Sequence, residues 1–490
     1  MNKFNDLALE AVAHQKNNQF IEAKKIYQKL IEINPKEVQI LRLYSMVEYA
    51  LKNFDSALKL INECIKINPE NSEAYSNRAI INLAINNISE AQSDYEKAIK
   101  KNPNNHHALF NLGNLYKKKK DYKNALKFFD KAIFINKNLY KAYHNKGVVK
   151  NLERKFDEAI EEFDKAISIK PDYANSLFFK SMIQLQKGDY IAGFKNFEYR
   201  WNTTNFPSIK RNFIKPYWDG KQDIKDKTIL LHGEQGLGDQ LQYVRYLDLV
   251  KKTGAKVILE IDKRLFKLFE ESKQTKEIYS QGDKLPYFDF HCPLMSLPLK
   301  FSTTINTIPS KKKYISSKTE RVQKWKKFFD PKKINVGVTW QSSNNDNIDK
   351  GRNFELNNFT ELSLIKNVEL YSLQKLTGTD QLRNQNKDKD LKINIFDSNF
   401  DEEASFIDTA AVIENLDLVI TLDSAMPHLA GALGCETWLL LQKYPHWTWM
   451  LDKKNSPWYP NLFIYRQSIE GDWKSVFTDI KRDLITKFVK

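Results

Sequence analysis

The 490-residue sequence predicts an α-solenoid followed by a pair of doubly wound, Rossmann-like α/β domains. Three observations carry that expectation. The first is a 34-residue recurrence from about Asn5 to Asp172. The second is a change, from Thr228 onward, to short β-branched runs that alternate with helical periods. The third is a strand–turn–helix stretch, LDLVITLDSAMPHLAGALG, from Leu416 to Gly434. A chain of this length is too long for one hydrophobic core, so two or three domains are expected.

In the N-terminal part, Pro35, Pro69, Pro103 and Pro171 share one register, with Lys137 at the remaining step. Ala23, Ala57, Ala91, Ala125 and Ala159 recur on the same register, each followed by a large residue: Tyr27, Ile61, Tyr95, Phe129 and Phe163. Leu30, Cys64, Ala98, Ala132 and Ala166 come next. Small residues let two antiparallel helices approach, the large one fills the groove between them, and proline ends the second helix. The pattern resembles the tetratricopeptide repeat. Five repeats fit, and a degenerate sixth, with Leu177, Ser181, Gly193 and Phe197 in register, is expected to cap the solenoid with Phe197, Tyr199 and Trp201. The solenoid thus spans residues 1–201. Such repeats imply a protein partner in the concave groove. His106, His107, His144 and the asparagines at repeat junctions are candidates to line it; the plainer expectation for them is solvated loop.

Residues 202–227 lose the helical period and carry Pro207 and Pro216, which marks a linker. The first α/β half, 228–312, opens with the strand TILLH, a turn GEQGLGDQ and a helix from Leu241 to Lys251. A strand Lys256–Ile261, a helix Lys263–Glu270 and a strand Tyr287–His291 follow, and this rapid alternation implies parallel pairing. Gly233, Gly236 and Gly238 are spaced GxxGxG, and Glu260 lies near the end of the next strand. A dinucleotide fingerprint needs GxGxxG, so a nicotinamide site is disfavoured, and without Gly-Lys-Ser/Thr the turn is not a Walker A loop. What remains is a turn that lets backbone approach a ligand, followed at once by Asp239. An acid there serves either as a helix cap or as a general base at a crevice edge.

The second half, 313–490, predicts strands at Ile334–Trp340, Val368–Leu373, Lys392–Phe396, Asp417–Leu422 and Glu436–Leu441. Helices are expected at Asn357–Ile365, Thr379–Asn384, Glu402–Asn415 and Ala425–Leu433. A final amphipathic helix, Asp472–Val489, is expected to pack back across the first half. In the stretch from Leu416, Asp423 and Ser424 break the strand and Gly434 closes the helix. A helix that starts at the carboxyl end of a parallel strand points unpaired N–H groups into the crevice, where they favour an anion such as pyrophosphate.

Five segments carry a second resemblance: HGEQGLGDQLQYVRY, GVTWQSSNNDNIDKGRNFEL, YSLQK, DTAAVIENLDLVITLDSAMPHLAGALG and SPWYP. Together they resemble the glycosyltransferase half of bacterial tetratricopeptide-repeat proteins related to the heptosyltransferase family (family 9), of GT-B architecture. Domain order is also similar to that of protein O-GlcNAc transferases. The resemblance implies an inverting, metal-independent hexosyl- or heptosyltransferase that uses a nucleotide-diphospho-sugar and no cofactor. It implies Asp239, of the Gly238–Asp239 pair, as the catalytic base. For the donor it implies Gly236, Gly238, Gln240, Lys350, Arg352, Gln374, Lys375, Asp423, Ser424 and His428. Chemically, one carboxylate takes the acceptor hydroxyl's proton, while Lys350, Arg352 and the helix start after Asp423 offset the departing diphosphate's charge. Plainer roles stand beside these: a solvated pair for Lys350 and Arg352, a buried-carbonyl partner for His428, an exposed loop for Gln374 and Lys375. Trp447, Trp449, Trp458 and Tyr459 either wall a base or sugar or, for at least two of the four, belong to the core. The family's Asp-Thr-Gly/Ala is Asp-Ser-Ala here, Pro427 removes one N–H from the anion site, and the acid that grips the ribose in the family has no clear counterpart.

Composition narrows the function classes. The net charge of +16 is spread among interspersed acids, and no aromatic-plus-basic RNA motif, zinc finger or basic region appears, so nucleic acid is not an expected partner. Cys64, Cys292 and Cys435 are far apart without CxxC spacing, which argues against a disulfide framework or a zinc site. Asp388-Lys389-Asp390 has the DxD form of metal-dependent transferases but sits in a Lys/Asn-rich run and is discounted. With no signal-peptide core and no membrane-length run, a cytoplasmic protein is expected, with peripheral membrane association left open. The leading expectation is a glycosyltransferase that acts on a protein or glycan acceptor, with repeats that recruit a protein. The alternative is an interaction scaffold with a catalytically weak or inactive GT-B-like half; a dinucleotide oxidoreductase ranks third.

Overall fold

The computed structural model describes residues 2–204, 206–342, 351–383 and 391–489. The chain divides into two compact units, one through Lys180 and one from Ser181. The sixth helix pair therefore straddles the division, and its second helix belongs with the α/β unit.

The first unit contains α1 (Asn2–Lys16), α2 (Phe20–Ile33), α3 (Val38–Ala50), α4 (Phe54–Ile67), α5 (Ser72–Ala84), α6 (Ile88–Lys101), α7 (His106–Lys118), α8 (Tyr122–Ile135), α9 (Tyr140–Leu152) and α10 (Phe156–Ile169). Each antiparallel pair closes as the recurrence predicts: the five alanines from Ala23 to Ala159 and the large residues from Tyr27 to Phe163 are all buried. The tightest approach is at Gly113 and Gly147, where an added Cβ would lie 2.6 Å from the ring of Phe129 and of Phe163 respectively. Between the two helices of each pair the backbone enters the left-handed region at Asn18, Lys52, Asn86, Lys120 and Arg154, a second 34-residue register. Side chains there cost about 1 kcal/mol each. The strain is offset by six-residue closures, Asn53 N–H to Glu48 O and Asn87 N–H to Asn82 O at 2.9 and 2.8 Å among them. The junction asparagines turn out to be turn residues rather than groove residues. Asn68, Asn102 and Asn136 accept the N–H two residues on, at 3.1, 3.0 and 3.0 Å, and Asn71 and Asn105 cap α5 and α7. His144 is also withdrawn from the groove: it is buried, 3.1 Å from Ser176 Oγ, and burial pushes its pKa down to about 4.

The helix α11 (Ala174–Lys187) crosses into the second unit, and α12 (Tyr190–Phe197) follows. The α/β part comprises β1 (Thr228–His232), α13 (Leu237–Tyr243), α14 (Leu247–Lys252), β2 (Lys256–Ile261), α15 (Lys263–Glu271), β3 (Glu277–Ser280), β4 (Phe290–Pro293), α16 (Leu297–Lys300) and α17 (Thr319–Lys326). It continues through β5 (Ile334–Val338), α18 (Thr360–Ser363), β6 (Val368–Ser372), α19 (Asp380–Arg383), α20 (Ile407–Ile413), β7 (Leu418–Leu422), α21 (Met426–Leu433), β8 (Thr437–Leu441), β9 (Leu462–Arg466) and α22 (Trp473–Phe488). Two all-parallel sheets result, ordered β3-β2-β1-β4 and β6-β5-β7-β8-β9. Their central strands are continuous apolar runs because helices cover both faces.

Several elements differ from the sequence expectation. β3 and β9 were not anticipated, since EIYS is too short to show a period and LFIYR follows a proline-rich turn. Lys392–Phe396 forms only a bridge from Asn394 to Tyr371. The helix expected at Leu241–Lys251 starts earlier, at Leu237, and tightens to 3-10 geometry at Val244–Tyr246. The C-terminal helix α22 packs on the second half, not the first: Val476, Phe477, Ile480 and Leu484 join Trp340, Phe354 and Phe359 in that half's core. Among the described residues no helix is long and apolar enough to cross a membrane.

Candidate functional site

In each sheet one strand starts the chain's walk outward in both directions, and the loops beyond the carboxyl ends of the strands flanking that reversal are where open α/β sheets place ligands. In the first sheet the reversal lies between β1 and β4, and the loop after β1 is the Gly233–Gly236 turn that leads into α13. In the second it lies between β5 and β7, and the loop after β7 is Asp423–Ala425, which leads into α21. The two stretches singled out in the sequence thus occupy equivalent places in two sheets, and they touch. A Cβ added at Gly238 would lie 2.8 Å from His428 Cδ2, 3.3 Å from its Nε2 and 3.5 Å from Ala425 Cα. Only glycine permits this approach.

Asp239, in the first turn of α13, reaches back to accept the N–H of Gly236 at 3.1 Å, so the capping role expected for it is real. It is only partly accessible, and its pKa rises to about 7. Burial is the main cause, opposed by the Gly236 N–H and reinforced by the carboxylates of Glu234 and Asp423. A carboxyl poised there can take a proton near neutral pH. Across from it, Asp423 is buried and accepts Trp449 Nε1–H at 2.8 Å. Ser424 Oγ accepts the N–H of Met426 at 3.2 Å, and Pro427 offers no donor, so the first turn of α21 has fewer free N–H groups than a plain helix start. Arg352 does face this turn, donating from Nη1 to Asp423 O at 3.2 Å. His428 is buried, 2.9 Å through Nδ1 from Tyr459 Oη and 5.0 Å between ring centres from Trp449.

Other expected residues do different work. Gln240 is buried and accepts Asp262 N–H at 2.9 Å, fixing the end of β2 instead of facing a donor. Gln374 is saturated: its Oε1 accepts Trp340 and Gln341 N–H at 3.0 and 3.1 Å, and its Nε2 donates to Gln341 O and Thr377 O at 2.7 Å each, which locks the loops after β5 and β6. Lys375 is paired with Asp401 and lies 4.3 Å from the centre of the Phe400 ring. Asp401 in turn accepts the N–H groups of Asp408 and Thr409 at 2.5 and 3.0 Å and so caps α20. Trp447, Trp449, Trp458 and Tyr459 are all core. Lys350 and the Asp388–Asp390 motif lie outside the described residues, and among those described no group of three metal-ligating side chains occurs.

The sequence reading missed three groups. Arg200, fully buried, forks onto Glu234 (Nε to Oε2 3.0 Å, Nη2 to Oε1 2.7 Å) and also donates to Ser296 Oγ at 2.8 Å and Glu198 Oε1 at 2.7 Å. Arg245, also buried, is ringed by Tyr314, Trp458 and Tyr459. His446 lies in electrostatic range of Asp423 and Arg352. Nothing local marks these residues in the sequence, because their partners are up to 213 positions away.

Comparison with known proteins places the repeats firmly. Residues 9–72, 72–105, 107–139 and 140–173 match tetratricopeptide repeat models. Protein FlbA of Caulobacter vibrioides is 25% identical over 328 residues, covering 62% of this chain, and the chain spans about half the length of that relative, 54%. Among solved structures, MamA is 21% identical, with 34% of this chain and 96% of that chain covered and a TM-score of 0.30. The tetratricopeptide protein YrrB, whose structure is described as having an unusual peptide-binding site, is 19% identical over 35% of this chain and 89% of its own, with a TM-score of 0.30. PilW, a type IV pilus biogenesis factor, is 19% identical over 42% and 95%, with a TM-score of 0.37.

Proposed function

We propose that the protein is a tetratricopeptide-repeat interaction protein whose repeats recruit a protein partner. The matched repeats carry this reading, and a polar ladder on the first helices of the pairs gives it a locus. Asn145 Nδ2 donates to Asn114 Oδ1 at 2.7 Å, and Lys117 Nζ donates to Asn145 Oδ1 at 2.8 Å. Burial lowers the pKa of Lys117, so a cation is held at a cost on a helix face that lines solenoid grooves. The test compares partners cross-linked to the full chain in cells with those of Lys117→Glu/Asn145→Arg and of Asp239→Asn. Loss of a partner in the first variant alone supports the reading; an unchanged partner set in both sinks it.

A second reading, glycosyl transfer in the α/β unit, is favoured by one observation: Asp239, in the first turn of α13, and Asp423, on the loop after β7, lie near enough that the Asp423 carboxylate adds to the burial that raises the Asp239 pKa to about 7. In this reading the unit is a GT-B-type pair. Asp239 takes the proton of an acceptor hydroxyl as it attacks the anomeric carbon, and the diphosphate leaves toward Arg352, His428 and the start of α21. The donor is a nucleotide-diphospho-sugar and the acceptor a protein or glycan. Thermal shift against nucleotides, nucleotide sugars and NAD(P), followed by donor hydrolysis with wild type and Asp239→Asn, tests it. Stabilisation by a nucleotide sugar, with hydrolysis lost in the variant, supports transfer; no stabilisation by any donor leaves a scaffold with an inactive crevice.

A further inference from the structure

Arg245 is a buried cation whose hydrogen bonds go to neutral groups: Nε to Gln242 O at 2.8 Å, Nη1 to Trp458 O and Nη2 to Tyr314 Oη at 2.9 Å. Its guanidinium lies 4.4 Å from the centre of the Tyr459 ring and 4.8 Å from that of Tyr314. Proton accounting through this cluster has one good solution. Tyr314 Oη accepts from Arg245, and its own proton goes to Leu241 O at 2.9 Å, an atom that can only accept. Tyr459 Oη has two neighbours here: Tyr314 Oη at 3.5 Å, placed as a donor to Tyr459, and His428 Nδ1 at 2.9 Å, which is left to take the Tyr459 proton. The shorter, which is the one of ordinary hydrogen-bond length, makes Nδ1 the acceptor. The remaining ring nitrogen, Nε2, must carry the hydrogen, and it lies beside Gly238.

We propose that Arg245, Tyr314 and Tyr459 hold His428 as a neutral imidazole protonated on Nε2, and that this N–H is presented at the Gly238–Asp239 turn to a phosphate oxygen of a diphosphate. Only the last clause rests on the transferase reading. The arrangement supplies a donor where Pro427 removed one, and does so without a charge that varies with pH. The charged and titratable groups around the ring are Arg245, His446, Tyr459 and, through Trp449, Asp423, with Asp239 on the turn opposite. Burial first, then Arg245 and His446, push the His428 pKa down to about 3. Arg245 and Tyr459 are positioning residues; they act on the ligand only through His428.

Nitrogen-15 spectra of the full chain labelled at histidine test this, with the His428 signals assigned by loss in His428→Gln. The expected wild-type result is an unprotonated Nδ1 and a protonated Nε2 that stay unchanged from pH 5.5 to 8. An Nδ1–H tautomer, or titration with an ordinary histidine midpoint, overturns the assignment, and the wild-type spectrum decides this by itself. In Tyr459→Phe the two nitrogens should move toward a tautomer average; unchanged signals overturn the role of Tyr459. Inorganic pyrophosphate should shift Nε2 in wild type. An Nε2–H tautomer with no pyrophosphate shift removes the diphosphate clause but leaves the tautomer assignment standing, and the nucleotide-sugar thermal shift decides the transferase reading separately.

Discussion

Gly238 and His428 approach so closely that a Cβ on the glycine would stand 2.8 Å from the imidazole Cδ2. The residues lie in the first turns of α13 and α21, helices that follow strands of different sheets, so the contact brings those two helix starts together. Gly238→Ala forces either the imidazole or the α13 start to move, and its stability should fall by about 1–3 kcal/mol. Chemical denaturation measures that loss. If the transferase reading holds, stabilisation by a nucleotide sugar disappears in the same variant.

Asp239 gives a pH signature independent of any substrate. Its folded-state pKa of about 7 lies above the ordinary 3.8, so the folded protein binds that proton more tightly than the unfolded chain. The stability this contributes is present below about pH 4 and is lost as pH rises through 7. Asp239→Asn has no such loss. The melting temperature of the variant relative to wild type should therefore climb between pH 4 and 7 and level off above, with a total effect of a few kcal/mol at most. A flat difference across that range would show an unshifted carboxyl.

Arg200 and Glu234 form a buried pair, and removing one partner leaves the other charged and unpaired. Arg200→Met should cost about 3–5 kcal/mol, and adding Glu234→Leu should restore only the part owed to Glu234, because Glu198 and Ser296 also lose their bonds to the guanidinium. A double-mutant cycle by urea denaturation gives the answer.

Lys375 and Asp401 separate a binding role from a structural one. Asp401→Ala strips the start of α20 of the carboxylate that accepts Asp408 N–H and Thr409 N–H, and should cost about 1–3 kcal/mol. Lys375→Met removes the cation from a carboxylate whose side chain is only 2% exposed, but Asp401 keeps the Asp408 and Thr409 N–H groups and the Thr409 hydroxyl, so the loss should be smaller than in Asp401→Ala. If the transferase reading holds, stabilisation by a nucleotide sugar should be unchanged in Lys375→Met; a drop would give that lysine a binding role.

Much of this fold is written locally. The Ala23 and Tyr27 registers specify helix pairs because small and large residues at fixed spacing admit one packing, and the strand before Asp423 shows as a β-branched run. The left-handed positions from Asn18 to Arg154 are less legible, since Asn, Lys and Arg share no chemistry that announces a positive φ; the closing hydrogen bonds impose it. In the crevice, Asp239, Asp423 and His428 could be picked out because each sits at a strand-to-helix turn. Gln240 and Gln374 looked similar but satisfy backbone groups, a choice set by which amides lack partners in three dimensions. Arg200 and Arg245 were invisible because a buried guanidinium is defined by what surrounds it.

The bond from Arg200 to Glu234 also fixes where this protein can be divided. The α/β pattern begins at Thr228, yet the turn that bears Asp239 is held by a cation contributed 34 positions ahead of Glu234, just after α12. A fragment that starts at Thr228 would bury Glu234 with no counter-charge. Gene fusions or domain exchanges that keep the crevice intact must therefore carry the last helical turns of the repeat region with them, so the portable piece is longer than its sheets.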